Sequence, residues 1–280
     1  MKNEPRRVVV TGIGAVTPAG IGIADFWAGL CSLKSTAATI TRFDVSQHKV
    51  TFGCCLPCEP SHPDLDPRDV RRMDPFALSG VVAAIEAVKA SGVADVVDPD
   101  RAGVIIASGI GGIQELEAQI PRMHERGPSR VSPLMIPRMI LDIVSGLVAM
   151  RYGFKNVNFC VSSACASAAH GMGEAYRHVK HGYADVVITG GAEAGLTPLS
   201  LAGFGNMGAL STRNSDPQHA SRPFDRNRDG FVMSEGAGIL VFEELEHARK
   251  RGAQIYGEIV GYGHTCDAHH ITDPAPGGAG

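Results

Sequence analysis

The 280 residues are 44% hydrophobic and 20% charged, too apolar for a disordered chain. A chain of this length buries its own core without a disulfide or metal staple. With 26 basic and 29 acidic side chains the net charge is −3, which favours neither bulk nucleic acid nor an anionic membrane as partner. The basic start is followed only by a short Val run, so no signal peptide is expected. The longest apolar stretch, 134–150, is broken by Pro137, Arg138 and Asp142, so no transmembrane helix is expected. Seven cysteines without secretory context point to reduced thiols and a cytoplasmic location. Thirty-four glycines against 5 Tyr and 1 Trp suggest many tight strand-to-helix turns.

In chain order, Arg7-Val8-Val9-Val10-Thr11 reads as a buried strand running into a Gly12-Ile13-Gly14 turn. A short helix around 23–30 and an irregular, Pro-containing stretch over 45–66 follow. Asp74 as cap, Pro75 in the first turn and Gly92 as stop predict a strong helix, with Leu78, Val81, Val82, Ile85 and Val88 at helical spacing. Residues 103–107 predict a second strand ending in glycines, and 135–150 a helix. Residues 158–161 predict a short strand. Residues 166–181 predict a helix with Ala166, Ala169 and Gly173 as a close-packing small face. Strands are expected at 185–191 and 239–242, and a charged surface helix at 243–251. Residues 255–263 echo the opening strand and its Gly-x-Gly, which hints at an internal duplication. The alternation predicts an α/β protein with a mostly parallel sheet.

Several motifs carry little chemistry. The Gly12-x-Gly14 pair lacks its third glycine, since position 17 is Thr followed by Pro18, so it makes a poor dinucleotide fingerprint. The 225–230 stretch begins like a calcium loop, but its twelfth position is Gly236 and two arginines stand between the ligands, which favours a salt-bridged surface loop. Cys54, Cys55 and Cys58 have no second ligand pair at zinc spacing, and joining them to His264, Cys266, His269 and His270 would need a coincidence. No Gly-x-Ser-x-Gly elbow occurs.

The segment Val161-Ser162-Ser163-Ala164-Cys165-Ala166-Ser167 is different. A short strand delivers Cys165 to a helix N-terminus, where unpaired amides and the helix dipole favour an anionic sulfur. Small neighbours leave room for a substrate. An inert buried cysteine fits the spacing equally well. His170, five residues on, lies about 140° around the helix, so it does not face Cys165 and reads as structural.

These residues resemble the β-ketoacyl-acyl carrier protein synthases, closest to the type that elongates long acyl chains. The likeness rests on 7–14, Gly109-Ile110-Gly111-Gly112, Ser163-Ala164-Cys165-Ala166-Ser167, Gly190-Gly191-Ala192-Glu193, Leu210-Ser211-Thr212-Arg213-Asn214, Ser221-Arg222-Pro223-Phe224-Asp225, 228–232 and 267–272. The resemblance implies a thiolase-like α/β fold, layered αβαβα and usually homodimeric. It implies a first half over 1–254 and a second half begun at 255–280. It implies that Cys165 takes an acyl group from a phosphopantetheine thioester on acyl carrier protein. Decarboxylative condensation with a malonyl carrier then gives a 3-oxoacyl carrier in fatty acid or polyketide synthesis. No resident cofactor is implied. Thiolates attack thioesters and leave again readily, and the Cys165 N–H would be one oxyanion donor.

By resemblance Ile110 and Phe204 line the acyl pocket, and 134–137 reach the neighbouring subunit's pocket. Thr272 lies beside the pantetheine tunnel. Arg68, Arg71, Arg72 and Arg130 face the acidic carrier, or form a solvated basic face. Gly208 replaces an Arg that some relatives carry there. The family's catalytic histidines, its lysine and its second oxyanion loop fall beyond position 280, so the sequence is expected to be a piece of a longer synthase, sparingly soluble by itself. A non-catalytic partner subunit is the competing reading, and Cys165 argues against it.

Overall fold

The computed structural model describes residues 6–280. The chain runs β1 (Val8–Thr17), β2 (Gly20–Ile21), α1 (Ile23–Cys31), β3 (Ala38–Thr39), β4 (Phe52–Gly53), α2 (Pro67–Val70), α3 (Pro75–Ser91), β5 (Ala102–Ala107) and α4 (Ile113–Arg126). It continues through α5 (Met135–Met139), α6 (Ile143–Tyr152), β6 (Asn158–Phe159), α7 (Ser167–Lys180), β7 (Val186–Glu193), α8 (Pro198–Asn206), β8 (Gly236–Glu244), α9 (Leu245–Lys250) and β9 (Gly257–Ile259).

The α3 helix forms as its ends dictate. The Asp74 side chain accepts from the Phe76 N–H, Pro75 needs no donor there, and Gly92 closes the helix at φ 64°. Thirteen of its 17 residues are buried, so it is the central helix of the fold. It shares one core with α6 and with Val104, Ile106, Val186, Ile188, Ile239 and Val241 of the sheet. The alternate residues Val8, Val10, Ile105, Val187 and Phe242 pack on α7 at the other face. Helix, sheet and helix make three of the five layers that the resemblance implies.

The sheet is ordered β2-β1-β8-β7-β5-β6, with β9 also on β1. It is mixed, not mostly parallel: β5 pairs β6 and β7 in parallel, while β7–β8 and β8–β1 are antiparallel. The reason lies in residues 194–235. They stay at the end of the sheet where β7 finishes, so β8 re-enters beside it, with Glu193 opposite Gly236.

Other expectations are corrected as well. Gly12 and Gly14 form no turn but lie inside β1, where a Cβ would collide with the Ala87 and Ala83 carbonyls of α3. The expected helix over 135–150 is two helices, interrupted where Ile140 turns extended. The α4 helix was not expected: Pro121 interrupts its pattern, and its buried residues are Glu115 and Gln119. The surface helix begins at Leu245, and Glu243 belongs to β8, fully buried. Ala166, just before α7, and Ala169 on it are exposed. Of the expected face only Gly173 packs closely, under the Tyr262 ring; the rest falls to Ala168 against Gly191 and Gly171 against Ala107. The echo of the opening strand lies beside the original, with Ile259 opposite Val8.

Candidate active site

Three parallel strands end at the same edge and deliver the site. After β6 the chain runs without regular structure to Ser163, then Ala164 takes a left-handed conformation at φ 51°. A single 3₁₀ turn, Ala164–Ala166, leads into α7. Cys165 sits on that turn, exposed, with a free thiol. A β-carbon in left-handed backbone is strained, so the turn must be held by its surroundings. The Ser163 N–H donates to Ser167 Oγ at 2.8 Å, and that hydroxyl donates to the Ala164 carbonyl at 2.7 Å. Ser163 Oγ and His170 Nδ1 are 2.7 Å apart. The Cys165 N–H finds no partner among the described residues, as an oxyanion donor requires. Cys160, five residues earlier, is half-buried, and that burial pushes its thiol up.

The loop after β5 is pinned from β7. Glu193 accepts from the Gly109 N–H at 2.7 Å, the Ile110 N–H at 3.1 Å and Ser108 Oγ at 3.2 Å. Burial pushes its carboxyl up, against the pull of those donors. Gly109 is wedged into the site: a Cβ there would stand 3.0 Å from Glu193 Oε2 and 3.4 Å from the Ala164 oxygen. Glu193 carried the resemblance in sequence, but nothing there showed that it reaches across 84 positions to this loop.

The remaining predicted residues are spread out. Ile110 is half-exposed beside Gly195. Phe204 packs edge-on against Phe231 at 5.6 Å, at the rim of a separate core under α8. Thr272 is exposed, its N–H on His270 Nδ1. Leu134 and Ile136 are exposed around α5. Arg68 and Arg71 stand on or just after α2, and Arg72 follows. Asp66 pairs Arg68 at 2.7 Å and Asp69 faces Arg72 at 3.7 Å, so two of these charges are partly matched. Arg130 stands elsewhere, sharing a cleft with Arg122 and Arg126. Those two had no sequence signal because α4 was not foreseen.

His170, read from sequence as structural, bonds the Ser163 hydroxyl. The 225–230 loop is tied down at both ends: the Asn227 N–H donates to Asp225 within it, and Asp229 accepts from Ser211, Thr212 and Arg222 outside it. Among the described residues no three His, Cys, Asp or Glu side chains converge as metal ligands, and no helix is long and apolar enough to cross a membrane. A cavity of about 300 Å³ lies away from Cys165, between Arg42, Met73, Leu78, Gln114, Ala194 and Glu235.

A mixed sheet between helix layers, with an exposed cysteine on the turn between β6 and α7, defines a protein of the thiolase-like fold class. The family described as beta-ketoacyl synthase, N-terminal domain, matches residues 5–248, and the chain belongs to it. It is 50% identical over 278 residues to the 3-oxoacyl-[acyl-carrier-protein] synthase 2 of Synechocystis sp. strain PCC 6803, covering 99% of this chain and 67% of that protein. The protein of the same name from Vibrio cholerae is 41% identical, with 98% and 67% covered. A crystal structure of a beta-ketoacyl synthase from Burkholderia phymatum STM815 superposes with TM-score 0.88 at 32% identity, covering 96% of this chain and 66% of that one. A type II PKS acyl-carrier protein in complex with its ketosynthase superposes at 0.85 and 32%, covering 97% and 66%. The chain thus spans about two thirds of the length of these relatives.

Proposed function

We propose that this chain carries the acyl-accepting half of a 3-oxoacyl-acyl carrier protein synthase of fatty acid synthesis. The observation that carries the reading is Cys165, exposed on a held, left-handed turn with its amide free. The Cys165 sulfur attacks the thioester carbonyl of an acyl-carrier phosphopantetheine. The carbonyl oxygen gathers charge at the Cys165 N–H, and the pantetheine thiolate leaves. An acyl group remains on the sulfur. Condensation follows on a malonyl carrier: carbon dioxide departs, and the resulting carbanion attacks the acyl-enzyme and expels Cys165. By resemblance the histidines that assist this step belong to the second half, which 255–280 begins. Ile110 and Phe204 then line the acyl chain's path, and Thr272 the pantetheine's. Arg68, Arg71, Arg72 and Arg130 meet the acidic carrier, and the family's homodimer brings 134–137 to the neighbouring pocket. The cytoplasm suits the free thiols.

Polyketide synthesis is the second reading, favoured by the likeness to a type II PKS ketosynthase. Incubation with acyl carriers followed by peptide mass spectrometry tests the function. An acyl mass on the Cys165 peptide, absent in Cys165→Ala, is expected. No adduct with fatty-acyl or polyketide carriers would leave only the partner-subunit reading.

A further inference from the structure

We infer that Ser167 and His170 are positioning residues for the nucleophile, a brace that keeps the Ser163–Ala164–Cys165 turn in its left-handed form. The inference rests on reading Cys165 as the acyl acceptor. An alanine gains nothing from φ 51°, and an unheld turn relaxes toward ordinary helical or extended backbone. Rotating Ala164 would swing the Cys165 amide and sulfur together, because both follow that one peptide.

Two side chains oppose the rotation. Ser167, 4% exposed, closes a ring. Its oxygen accepts from the Ser163 N–H and donates to the Ala164 carbonyl, so it grips backbone groups before and after the strained bond. One hydroxyl with both roles fixed has no freedom left to rotate. His170 grips the same turn from the next helical turn, through Ser163 Oγ at 2.7 Å. Its ring is itself held edge-on by His264 at 5.7 Å, and Tyr262 lies beside His264 at 5.3 Å. Tyr262 covers Gly173 and lies under Arg177 at 5.2 Å. The segment after β9 therefore backs the helix that backs the turn. Neither hydrogen-bonds the reacting sulfur: Ser167 acts through backbone groups of the turn, and His170 through the Ser163 hydroxyl.

Alkylation of the 280-residue chain by iodoacetamide, read by peptide mass spectrometry, tests this with an internal control. The rate at Cys165 is divided by the rate at Cys31, an exposed cysteine on α1. Ser167→Ala and His170→Phe are expected to lower the ratio about tenfold, because the rate at a thiol follows its exposure and its place at a helix N-terminus, which the turn sets. Ser167→Thr keeps the hydroxyl, and His170→Asn keeps a polar atom near the Nδ1 position. Both are expected to stay within about threefold of the parent. An unchanged ratio in folded Ser167→Ala and His170→Phe overturns the inference. So does an equal loss in the conservative variants. Where a truncating variant unfolds by circular dichroism, the conservative variant at that position decides: a parental ratio supports the brace, and a tenfold loss overturns it. The ratio needs no carrier, so failure of acyl transfer with an intact brace would count against the proposed function alone.

Discussion

Glu243 offers the sharpest test of what holds the fold together. It is fully buried on β8. Arg251 reaches it with Nε and Nη2, each at 2.7 Å, His247 Nδ1 at 2.6 Å and Thr11 Oγ1 at 2.7 Å. Thr11 can reach because β1 shifts register between Val10 and Gly12. Arg251 also donates to the Ser91 carbonyl at the end of α3. One carboxylate thus ties β1, β8, α9 and α3. Glu243→Gln keeps the volume but turns an amide NH₂ toward the guanidinium, losing roughly two charge-assisted bonds of about 1.5–3 kcal/mol each. That estimate agrees with the roughly 3–5 kcal/mol found when one partner of a buried ion pair is removed. At about 4 kcal/mol, the melting temperature by circular dichroism should fall on the order of 10 °C. Arg251→Met alone should also destabilise, and the double variant should be less unstable than the two losses summed. Additive losses, or a shift under about 2 °C for Glu243→Gln, would refute the claim that this cluster is coupled. The pH dependence has a definite sign. Burial pushes the carboxyl up, but Arg251, Thr11 and His247 more than offset it, so it lies below its ordinary 4.5. A depressed value stabilises above 4.5, and that contribution is lost as the pH falls below it.

Asp74 should behave oppositely. Burial pushes it up to about 6, despite the Glu115 and Phe76 N–H groups that it accepts from. A raised value means that its contribution is full below the ordinary 3.8 and is lost as the pH rises through about 6. Urea midpoints measured from pH 5 to 7.5 should carry that slope in the parent and lose it in Asp74→Asn. An identical slope in both would count against it. Gly14→Ala drives a methyl group into the Ala83 carbonyl of α3, a backbone atom that cannot rotate away. A loss of about 1–3 kcal/mol is expected for such overpacking, and an unchanged urea midpoint would contradict the contact.

What the sequence disclosed depended on whether a signal was local. The ends of α3 were legible because Asp74, Pro75 and Gly92 act within a few residues of themselves. The strand expected at 185–191, found at Val186–Glu193, was legible from its Val186-Val187-Ile188 run, as a doubly covered strand should be. The α4 helix was not legible, because its buried side chains are polar and their partners are distant. Glu115 meets Arg138, and Gln119 accepts from the Ser132 N–H. Gly12 and Gly14 looked like a turn because the helix that requires them lies some 70 residues further on. In the site, the placement of Cys165 at a helix start was readable. The left-handed Ala164, the Ser167 ring and the hold of Glu193 on Gly109 were not, since each is a relation between atoms that spacing does not encode.

The two halves of the sheet divide the labour. In parallel strands the carboxyl ends share one edge, where loops from different strands converge. Here β5 delivers Ser108 to Gly112, β6 delivers Cys160 to Cys165, and β7 ends in Glu193, which holds the first of these loops. The antiparallel partner β8 passes Gly236 at that edge and reaches Glu243 at the far end, opposite Val186. The Glu243 cluster and the Cys165 turn therefore lie at opposite ends of the same strands. Stability and nucleophile geometry should separate accordingly. Well below its melting temperature, Glu243→Gln should keep the parental Cys165-to-Cys31 alkylation ratio, whereas Ser167→Ala should lose it while melting much closer to the parent.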